Sequence, residues 1–388
     1  MLKATNPSQK KKKHPRSMFY RISAWLHLWL GLISGIVIVI VSLTGAILTF
    51  EQELRVWLQP YQKVEANHRP FLPPSVLSKV VMETYKFPTV AGVFYQGAGR
   101  SAIVPYYGDP KRYTVVYVDP YSGKILHHQL LDEDFYRIML TGHYQLWLPR
   151  PIGQPIVAYA TLIFVITLIS GMVLWWPKKW TKSTRKASFF IKVKAKFKRI
   201  NYDLHNVLGF YSLLIALILG LTGMVYGMKW FSTAVYFVGS GGEKQLSRRN
   251  GAVSDTTLTT IHYLPEEDIL FHHLIATGVD VDHQLISISY PFGKKGAWGV
   301  GINPKPGTFY LDHYQYYEQH SLKLLPSPEL YAKANGGEKI SRLNLDLHIG
   351  AIGGIWTKII AFLVCVISAS LPITGFIIWI KKKNKFQF

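Results

Sequence analysis

Four long stretches of the chain carry no charged residue, and they constrain the fold more than any other feature. A transmembrane helix needs about 20 consecutive apolar residues, and each stretch is at least that long. The stretches are Leu26–Phe50, Ile152–Trp176, Val207–Met228 and Ile359–Ile380, which are numbered here as spans one to four. Span one is about twice as long as the apolar region of a signal peptide, so we expect it to be retained. The sequence therefore predicts an α-helical membrane protein with four transmembrane helices.

The basic residues are concentrated in three short segments that contain no acidic residue. The chain has 44 Lys and Arg against 22 Asp and Glu, and 21 of the basic residues lie in residues 1–24, 177–202 and 381–388. The remaining 23 basic and 22 acidic residues nearly cancel, which argues against a nucleic-acid-binding face. Because basic loops stay on the cytoplasmic side of a membrane, all three segments are predicted to be cytoplasmic.

The spans and the charge pattern together predict a domain organisation with both termini on the same side. The two long connections have mixed charge and alternating runs such as Gln284–Tyr290, so we expect them to fold outside the membrane with β-strands. The predicted parts are a cytoplasmic N-terminus (1–25), span one (26–50), a first outer module (51–151), span two (152–176), a cytoplasmic link (177–204), span three (205–228), a second outer module (229–350), span four (351–380) and a cytoplasmic tail (381–388).

The single cysteine, Cys365, lies inside span four. One cysteine excludes a disulfide framework within the chain, the CxxCH motif that attaches haem covalently, and a zinc site built from cysteines. A cofactor of this protein must therefore be held by other side chains.

The sequence repeats itself, and the matches between spans one and three have a constant offset of 178 residues. Span one contains a histidine, a glycine four residues later and a Leu-Thr-Gly triplet, and span three contains the same residues at the same spacing. The matching residues are His27, Gly31 and Leu43-Thr44-Gly45 with His205, Gly209 and Leu221-Thr222-Gly223, and, for spans two and four, His143 and Ser170-Gly171 with His348 and Thr374-Gly375. These matches predict a tandem pseudo-twofold repeat about an axis along the membrane normal.

Four of the 14 histidines occupy equivalent positions in this repeat, at the boundaries of the membrane. A twofold relation between the halves brings His27 toward His205 at the inner boundary and His143 toward His348 at the outer one. Two imidazoles that face each other can ligate a b-type haem, which needs no cysteine. The pattern therefore makes these four residues candidate haem ligands.

Gly31 and Gly209, four residues after two of these histidines, are expected on the same helical face, with room for the edge of a porphyrin. The pattern alone also leaves open a purely structural role for histidines at a membrane boundary. A di-metal centre is disfavoured because the spans lack Asp and Glu, and the HExxH motif of zinc peptidases does not occur.

These pieces resemble a known family, the PepSY-associated transmembrane proteins, and within it the FoxB-type ferric-siderophore reductases. The residues that carry the resemblance extend over nearly the whole chain. They are Trp25-Leu26-His27 with Gly31, Leu43-Thr44-Gly45, the turn from Val118 to Gly123, His143, Asp203-Leu204-His205 with Gly209, and Leu347-His348-Ile349-Gly350. The resemblance implies two α+β PepSY-like modules in the periplasm and a location in the cell inner membrane.

The resemblance also implies two haem b cofactors, with His27, His205, His143 and His348 as the axial ligands of the haem irons. The expected partners are a ferric siderophore, membrane lipid and an unidentified cytoplasmic electron donor, with no nucleic acid. The link between spans two and three is short, so we expect no fused flavin-reductase domain of the kind that some relatives carry. The second module departs from the family because Asn303 replaces the acidic residue of the first module's turn.

The sequence thus predicts a membrane oxidoreductase that reduces ferric siderophore in the periplasm and releases Fe(II). Two other functions stay open. A non-redox PepSY membrane protein could bind or regulate a periplasmic peptidase, with histidines that are structural. A haem or siderophore transporter would fit the repeat, although such transporters have broken helices with polar groups near the membrane centre.

Overall fold

The computed structural model describes residues 17–67, 69–108, 113–244, 252–258 and 260–383. The predicted basic N-terminus up to residue 16 and the predicted tail from residue 384 lie outside the described residues. The α-helices of the described residues are α1 (Met18–Thr49), α2 (Glu51–Leu58), α3 (Pro74–Tyr85), α4 (Phe135–Gln145), α5 (Arg150–Trp175), α6 (Lys182–Phe189), α7 (Phe197–Asp203), α8 (Gly209–Gly227), α9 (Lys229–Gly239), α10 (Glu266–Ala276), α11 (Gly336–His348) and α12 (Ile355–Lys383). Their β-strands are β1 (Gly92–Tyr95), β2 (Ala102–Tyr107), β3 (Tyr113–Val118), β4 (Ile125–Leu130), β5 (Leu285–Ser289), β6 (Trp298–Asn303), β7 (His313–Tyr317) and β8 (Leu324–Leu325).

Four helical segments of the described chain are long and apolar enough to cross a membrane. They are Met18–Thr49, Arg150–Trp175, Phe197–Gly227 and Ile355–Lys381. The third segment comprises α7, one turn of π-helix at Leu204–Leu208, and α8. The prediction of a four-span membrane protein is confirmed.

The helices do not begin where the predicted spans do. The first begins at Met18 and the third at Phe197, because a helix can continue past its charge-free stretch into the interface, where Lys and Arg are tolerated. The fourth begins at Ile355 and not at residue 351. Gly350 and Gly354 have φ angles of 74° and 66°, a region that favours glycine, and they separate α11 from α12.

The four spans form one bundle. Helix α1 packs against α5 and α12, and helix α8 packs against the same two helices, so α1 and α8 lie at opposite corners. A Cβ atom on Gly35 of α1 would lie 3.2 Å from Cβ of Pro372 in α12, which shows how closely these backbones approach.

The eight strands form a separate domain with one antiparallel sheet, in the order β4-β3-β2-β1-β5-β6-β7-β8. The first strands of the two outer connections, β1 and β5, pair at the centre, with Val93 opposite Ile288. Gly92 is required at this seam because its φ is 152° and a Cβ atom there would lie 2.3 Å from the carbonyl oxygen of Ile288. Both outer connections therefore contribute to a single folded unit.

One face of the sheet packs against α3 and α10. Leu77 and Val81 of α3 and Phe271 of α10 are buried against side chains that alternate along the strands. The buried strand residues include Val93, Tyr95, Val104, Val116, Val118, Ile286, Ile288 and Val300. This core continues across the β1–β5 seam, so the outer domain has one hydrophobic core.

A buried ion pair ties the outer domain to the end of span one. Arg55 of α2 donates from both terminal nitrogens to the carboxylate of Asp134, and from Nε to Glu51 at 2.8 Å. Asp134 also caps α4 by accepting from the backbone nitrogen of Arg137 at 2.9 Å. Burial alone would raise the pKa of this carboxyl, but the hydrogen bonds from Arg55 and Arg137 hold the pKa of Asp134 below its ordinary value.

A second ion pair ties α2 to span four. Nζ of Lys358 lies 2.7 Å from Oε1 of Glu53, and the Lys358 side chain is only 4% exposed. Helix α2 is therefore fixed between α4 and α12, just outside the bundle.

The substitution Arg55→Ala is expected to lower the free energy of unfolding by about 3–5 kcal/mol, because it leaves the buried carboxylate of Asp134 without a partner. The double variant Arg55→Met/Asp134→Asn should recover most of that loss, since no charge remains and Asn still caps α4. The exposed pair of Lys79 and Glu83, at 3.9 Å, supplies the control Lys79→Ala, which should cost less than about 1 kcal/mol.

Unfolding of the purified full chain in detergent, followed by circular dichroism, measures these differences. A double variant as unstable as Arg55→Ala would contradict the assigned role of the ion pair.

Candidate functional site

The inner pair of histidines comes from the two helices at opposite corners of the bundle. His27 lies in α1, and His205 lies in the π-helical turn before α8. Their ring centroids are 6.1 Å apart, and the rings are inclined at 79°. The structure therefore brings two imidazoles together across the bundle, near one end of the spans, with their planes nearly perpendicular.

The outer pair comes from helices that precede spans two and four. His143 lies in α4 and His348 is the last residue of α11. Their ring centroids are 6.0 Å apart, with an angle of 58° between the rings. Helices α4 and α11 both follow strands of the outer domain, so the distance between these two rings depends on how that domain packs on the bundle.

Each inner histidine is held by the neighbouring span. Nδ1 of His27 lies 3.0 Å from the carbonyl oxygen of Thr167 and 3.4 Å from Oγ of Ser170 in α5. Nδ1 of His205 lies 3.1 Å from the carbonyl oxygen of Leu371 and 2.9 Å from the hydroxyl of Thr374 in α12. Each inner imidazole is thus fixed by a backbone carbonyl and a side-chain hydroxyl.

The outer histidines use the same kind of partner. Nδ1 of His143 lies 2.9 Å from the carbonyl oxygen of Val41 and 3.2 Å from the hydroxyl of Thr44 in α1. Nδ1 of His348 lies 2.9 Å from the hydroxyl of Thr222 in α8, and the ring also interacts with the backbone of Leu219. All four histidines are therefore held through Nδ1 by a transmembrane helix.

A glycine follows each of these hydroxyl residues, and each glycine touches the histidine ring. A Cβ atom placed there would lie between 2.9 and 3.4 Å from Cε1 of the ring. The contacts are Gly171 with His27, Gly375 with His205, Gly45 with His143, and Gly223 with His348. A helical side chain leans over the turn that precedes it, so a glycine four residues after a carbonyl leaves that carbonyl open to a ring from another helix.

These hydrogen bonds decide which ring nitrogen is free. A carbonyl oxygen can only accept, so Nδ1 donates and carries the proton of the neutral imidazole. The four Nε2 atoms have no hydrogen bond to any described residue. Each pair therefore offers two unprotonated nitrogens, which is the form in which histidine binds a metal ion.

In the sequence, the hydroxyl–glycine dipeptides are visible only as repeat markers, and their contact with the histidines was not predicted. The signal was present, because such a dipeptide occurs in every span. From the sequence, Gly31 and Gly209 were instead expected to lie beside the edge of a porphyrin. A Cβ atom on Gly31 would lie 3.6 Å from Cγ2 of Thr167, and one on Gly209 would lie 3.6 Å from Cδ2 of Leu371. These two glycines therefore pack against neighbouring spans at ordinary contact distance.

A buried aspartate two residues before His205 ties that histidine to the link. Asp203 accepts hydrogen bonds from the backbone nitrogen of Lys192 at 3.1 Å and from Nε of Arg199 at 3.0 Å. Asn201 of the same helix donates to the carbonyl oxygen of Thr374 at 3.0 Å. The π-helical turn of His205 is thus supported on both sides, and such turns are frequent at functional sites.

A second buried aspartate lies two residues before His348. Asp346 accepts from the backbone nitrogens of Phe309 and Tyr310, at 2.8 to 3.1 Å, and so ties α11 to the loop between β6 and β7. Burial raises the pKa of Asp346, and burial together with the Asp346 charge raises the pKa of Asp312 to about 6. The outer histidine is thereby linked directly to the outer domain.

Within the described part of the chain, no three His, Cys, Asp or Glu side chains form one cluster that could hold a metal ion. The four candidate histidines lie in two pairs.

No curated protein matches the chain. A family model does match it, that of the PepSY-associated TM region, over residues 24–382. The match takes in all four spans, both histidine pairs and the outer domain. The chain therefore belongs to the family of proteins with a PepSY-associated transmembrane region.

Proposed function

We propose that this protein is a di-haem b oxidoreductase of the cell inner membrane that passes electrons outward to a ferric siderophore, as FoxB-type proteins do. The observation that carries the proposal is the pair of adjacent imidazoles at each boundary of the bundle. In both pairs the protonated nitrogen is engaged by a neighbouring helix, and the other nitrogen has no hydrogen bond to any described residue.

The spacing of the rings suits ligation of one iron by each pair. Two imidazoles that bind a metal ion from opposite sides, with metal–nitrogen distances of about 2.0 Å, have ring centroids roughly 6 Å apart. The observed separations are 6.1 and 6.0 Å. Haem b fits this donor set because it is held without cysteine thioether bonds.

Haem b would supply one-electron redox chemistry, and the protein's part is to hold and tune it. The carbonyl partners fix the orientation of each ring and make its Nε2 a stronger donor. The hydroxyls of Ser170, Thr374, Thr44 and Thr222 restrict rotation of the rings. Glycine at the next position keeps each ring close to the supporting helix.

The two pairs would form an inner and an outer layer. On α1, His27 and the outer-layer contact Thr44 are 17 residues apart, which corresponds to about 26 Å along a helix. Two redox groups at these depths would connect the two sides of a membrane, which a single group could not do.

The orientation is supported by the charge of the link and of the ends of the chain. Residues 177–202 carry ten basic and no acidic residues, so the positive-inside rule puts them, with both termini, in the cytoplasm. The sheet then lies in the periplasm. We interpret its two halves as PepSY-like modules related by the tandem repeat, because the strands run outward from the β1–β5 seam in the same order and one helix of each connection covers the same face.

The outer domain would receive the substrate. A siderophore holds Fe(III) with hard oxygen ligands, which bind Fe(II) far less tightly. Transfer of one electron to the chelate reduces Fe(III) to Fe(II), and the weakened complex releases the metal. No side chain needs to form or break a covalent bond.

Ligation by pairs is tested by alanine variants. Each of His27→Ala and His205→Ala is expected to remove the same haem, about half of the total, because each pair shares one iron. The double variant His27→Ala/His205→Ala should lose no more than either single variant, whereas His27→Ala/His143→Ala should lose both haems. The control is His272→Ala, in the exposed part of α10. Reduced-minus-oxidised spectra with haem quantification measure the outcome, and loss of both haems in His27→Ala/His205→Ala would contradict the pairing.

The role of the glycines is tested by a smaller change. Gly171→Ala puts a Cβ atom 2.9 Å from Cε1 of His27, so the ring must shift away from the carbonyl of Thr167. We expect the inner haem to be lost or its midpoint potential to change, while the outer haem is unaffected. Gly31→Ala is the matched control, because its Cβ atom finds an ordinary contact at 3.6 Å. Equal effects of the two substitutions in a redox titration would show that the glycine contact does not position the ligand.

The proposed reaction is tested with reduced protein. Protein reduced by dithionite, and freed of excess reductant, should be reoxidised by a ferric siderophore, with an Fe(II)-specific chelator capturing the product. The gallium complex of the same siderophore is the control, because Ga(III) accepts no electron under these conditions. A haem spectrum that stays reduced through incubation with several ferric chelates would overturn the reductase assignment.

A further inference from the structure

The link between spans two and three folds into a cavity lined by cations and aromatic rings. The volume of the cavity is about 560 Å³. Its wall, here called the link face, is formed by Trp180, Thr181, Lys182, Arg185, Lys186 and Phe190. The three cations make no ion pair with any described residue, whereas Arg199 of the same link is paired with Asp203. The link face therefore presents three positive charges without an ion-pair partner among the described residues, beside two exposed rings.

Helix α6, which carries the cations, is fixed to the bundle. Thr181 and Thr184 form a reciprocal capping box at its first turn. At its other end, Nε1 of Trp175 donates to the carbonyl oxygen of Ser188 at 3.3 Å, and the hydroxyl of Tyr211 lies 3.4 Å from the carbonyl oxygen of Phe189. The link face is thus held in a defined place.

Aromatic rings lead from the link face to the helical turn that touches the ring of His27. Trp180 is 40% exposed, and its ring centroid lies 5.8 Å from that of buried Trp175, which stacks on Phe210 at 3.8 Å. Trp175 is one helical turn after Gly171, the residue that touches the ring of His27. The described link therefore has a continuous packed route from its surface to the inner layer.

We propose that the link face is the docking site of the electron donor, and that this donor is a soluble one-electron carrier protein with an acidic surface. The proposal rests on the proposed function, which needs a reductant on the cytoplasmic side. The reduced carrier would give up one electron, which a haem held by His27 and His205 would accept. Lys182, Arg185 and Lys186 attract and orient the acidic surface, and Trp180 contacts the carrier at the centre of the patch.

A phospholipid headgroup is the competing ligand for basic residues next to a span. A headgroup needs only positive charge in order to bind. It would make no use of the ring contacts that lead from Trp180 to Trp175. The free cations, the concave shape and the route to the inner histidines together favour the carrier.

The test measures binding and needs no turnover. Oxidised flavodoxin, an acidic flavin protein, is the probe, and the full chain is held in phosphatidylcholine nanodiscs, which carry no competing anionic lipid. The variant Lys182→Glu/Arg185→Glu/Lys186→Glu should raise the Kd by at least about tenfold and weaken its dependence on salt. The control Lys194→Glu/Lys196→Glu/Lys198→Glu makes the same change of charge in the same link, outside the link face, and should raise the Kd much less.

A second measurement uses reduction rates. The first triple variant should accept electrons from reduced flavodoxin at least about tenfold more slowly, with an unchanged rate from dithionite, which needs no docking surface.

Equal effects of the two triple variants on the Kd would overturn the proposal, because net charge alone would then explain binding. Unchanged flavodoxin binding with lost binding to phosphatidylglycerol vesicles would also overturn it and assign the face to lipid. A preparation without haem would contradict the proposed function, while the Kd values would still decide the docking site.

Discussion

The site depends on one interaction, the hydrogen bond from a histidine Nδ1 to the backbone of a neighbouring transmembrane helix. Water is scarce within a bilayer, so a ring N–H there needs a partner from the protein. A helical carbonyl is reachable only where the residue four positions later is small. The chain meets this requirement four times with a hydroxyl residue followed by glycine, and it thereby fixes both the position and the tautomer of each ring.

The outer histidines connect this constraint to the fold of the outer domain. Helices α4 and α11 follow the two halves of the sheet, and the β1–β5 seam joins those halves. The ion pair between Arg55 and Asp134 fixes the start of α4, and Asp346 fixes the end of α11. The distance between His143 and His348 is therefore set by strand pairing and by buried carboxylates, although neither ring touches the sheet core.

The inner layer is built differently on its two sides. His27 lies in regular α-helix, whereas His205 lies in a π-helical turn that Asp203 and Asn201 support. The same aspartate anchors the link, so the backbone that carries the free cations of α6 is joined to an inner histidine. A partner that binds the link would therefore contact a segment coupled to the inner site.

The sequence by itself predicted the four spans, the family and four candidate histidines among 14, because apolar length, the 178-residue offset of His27 and His205 and the matching places of His143 and His348 are properties of the chain alone. It could not determine that Gly171 and Gly45 touch histidine rings while Gly31 packs against a span, since this depends on how neighbouring helices are rotated. The ends of the helices, the π-helical turn at His205 and the pairing of Arg55 with Asp134, 79 residues away, were also decided only by the tertiary structure. Contacts between distant segments leave little trace in local sequence, because each partner alone resembles an ordinary polar or small residue.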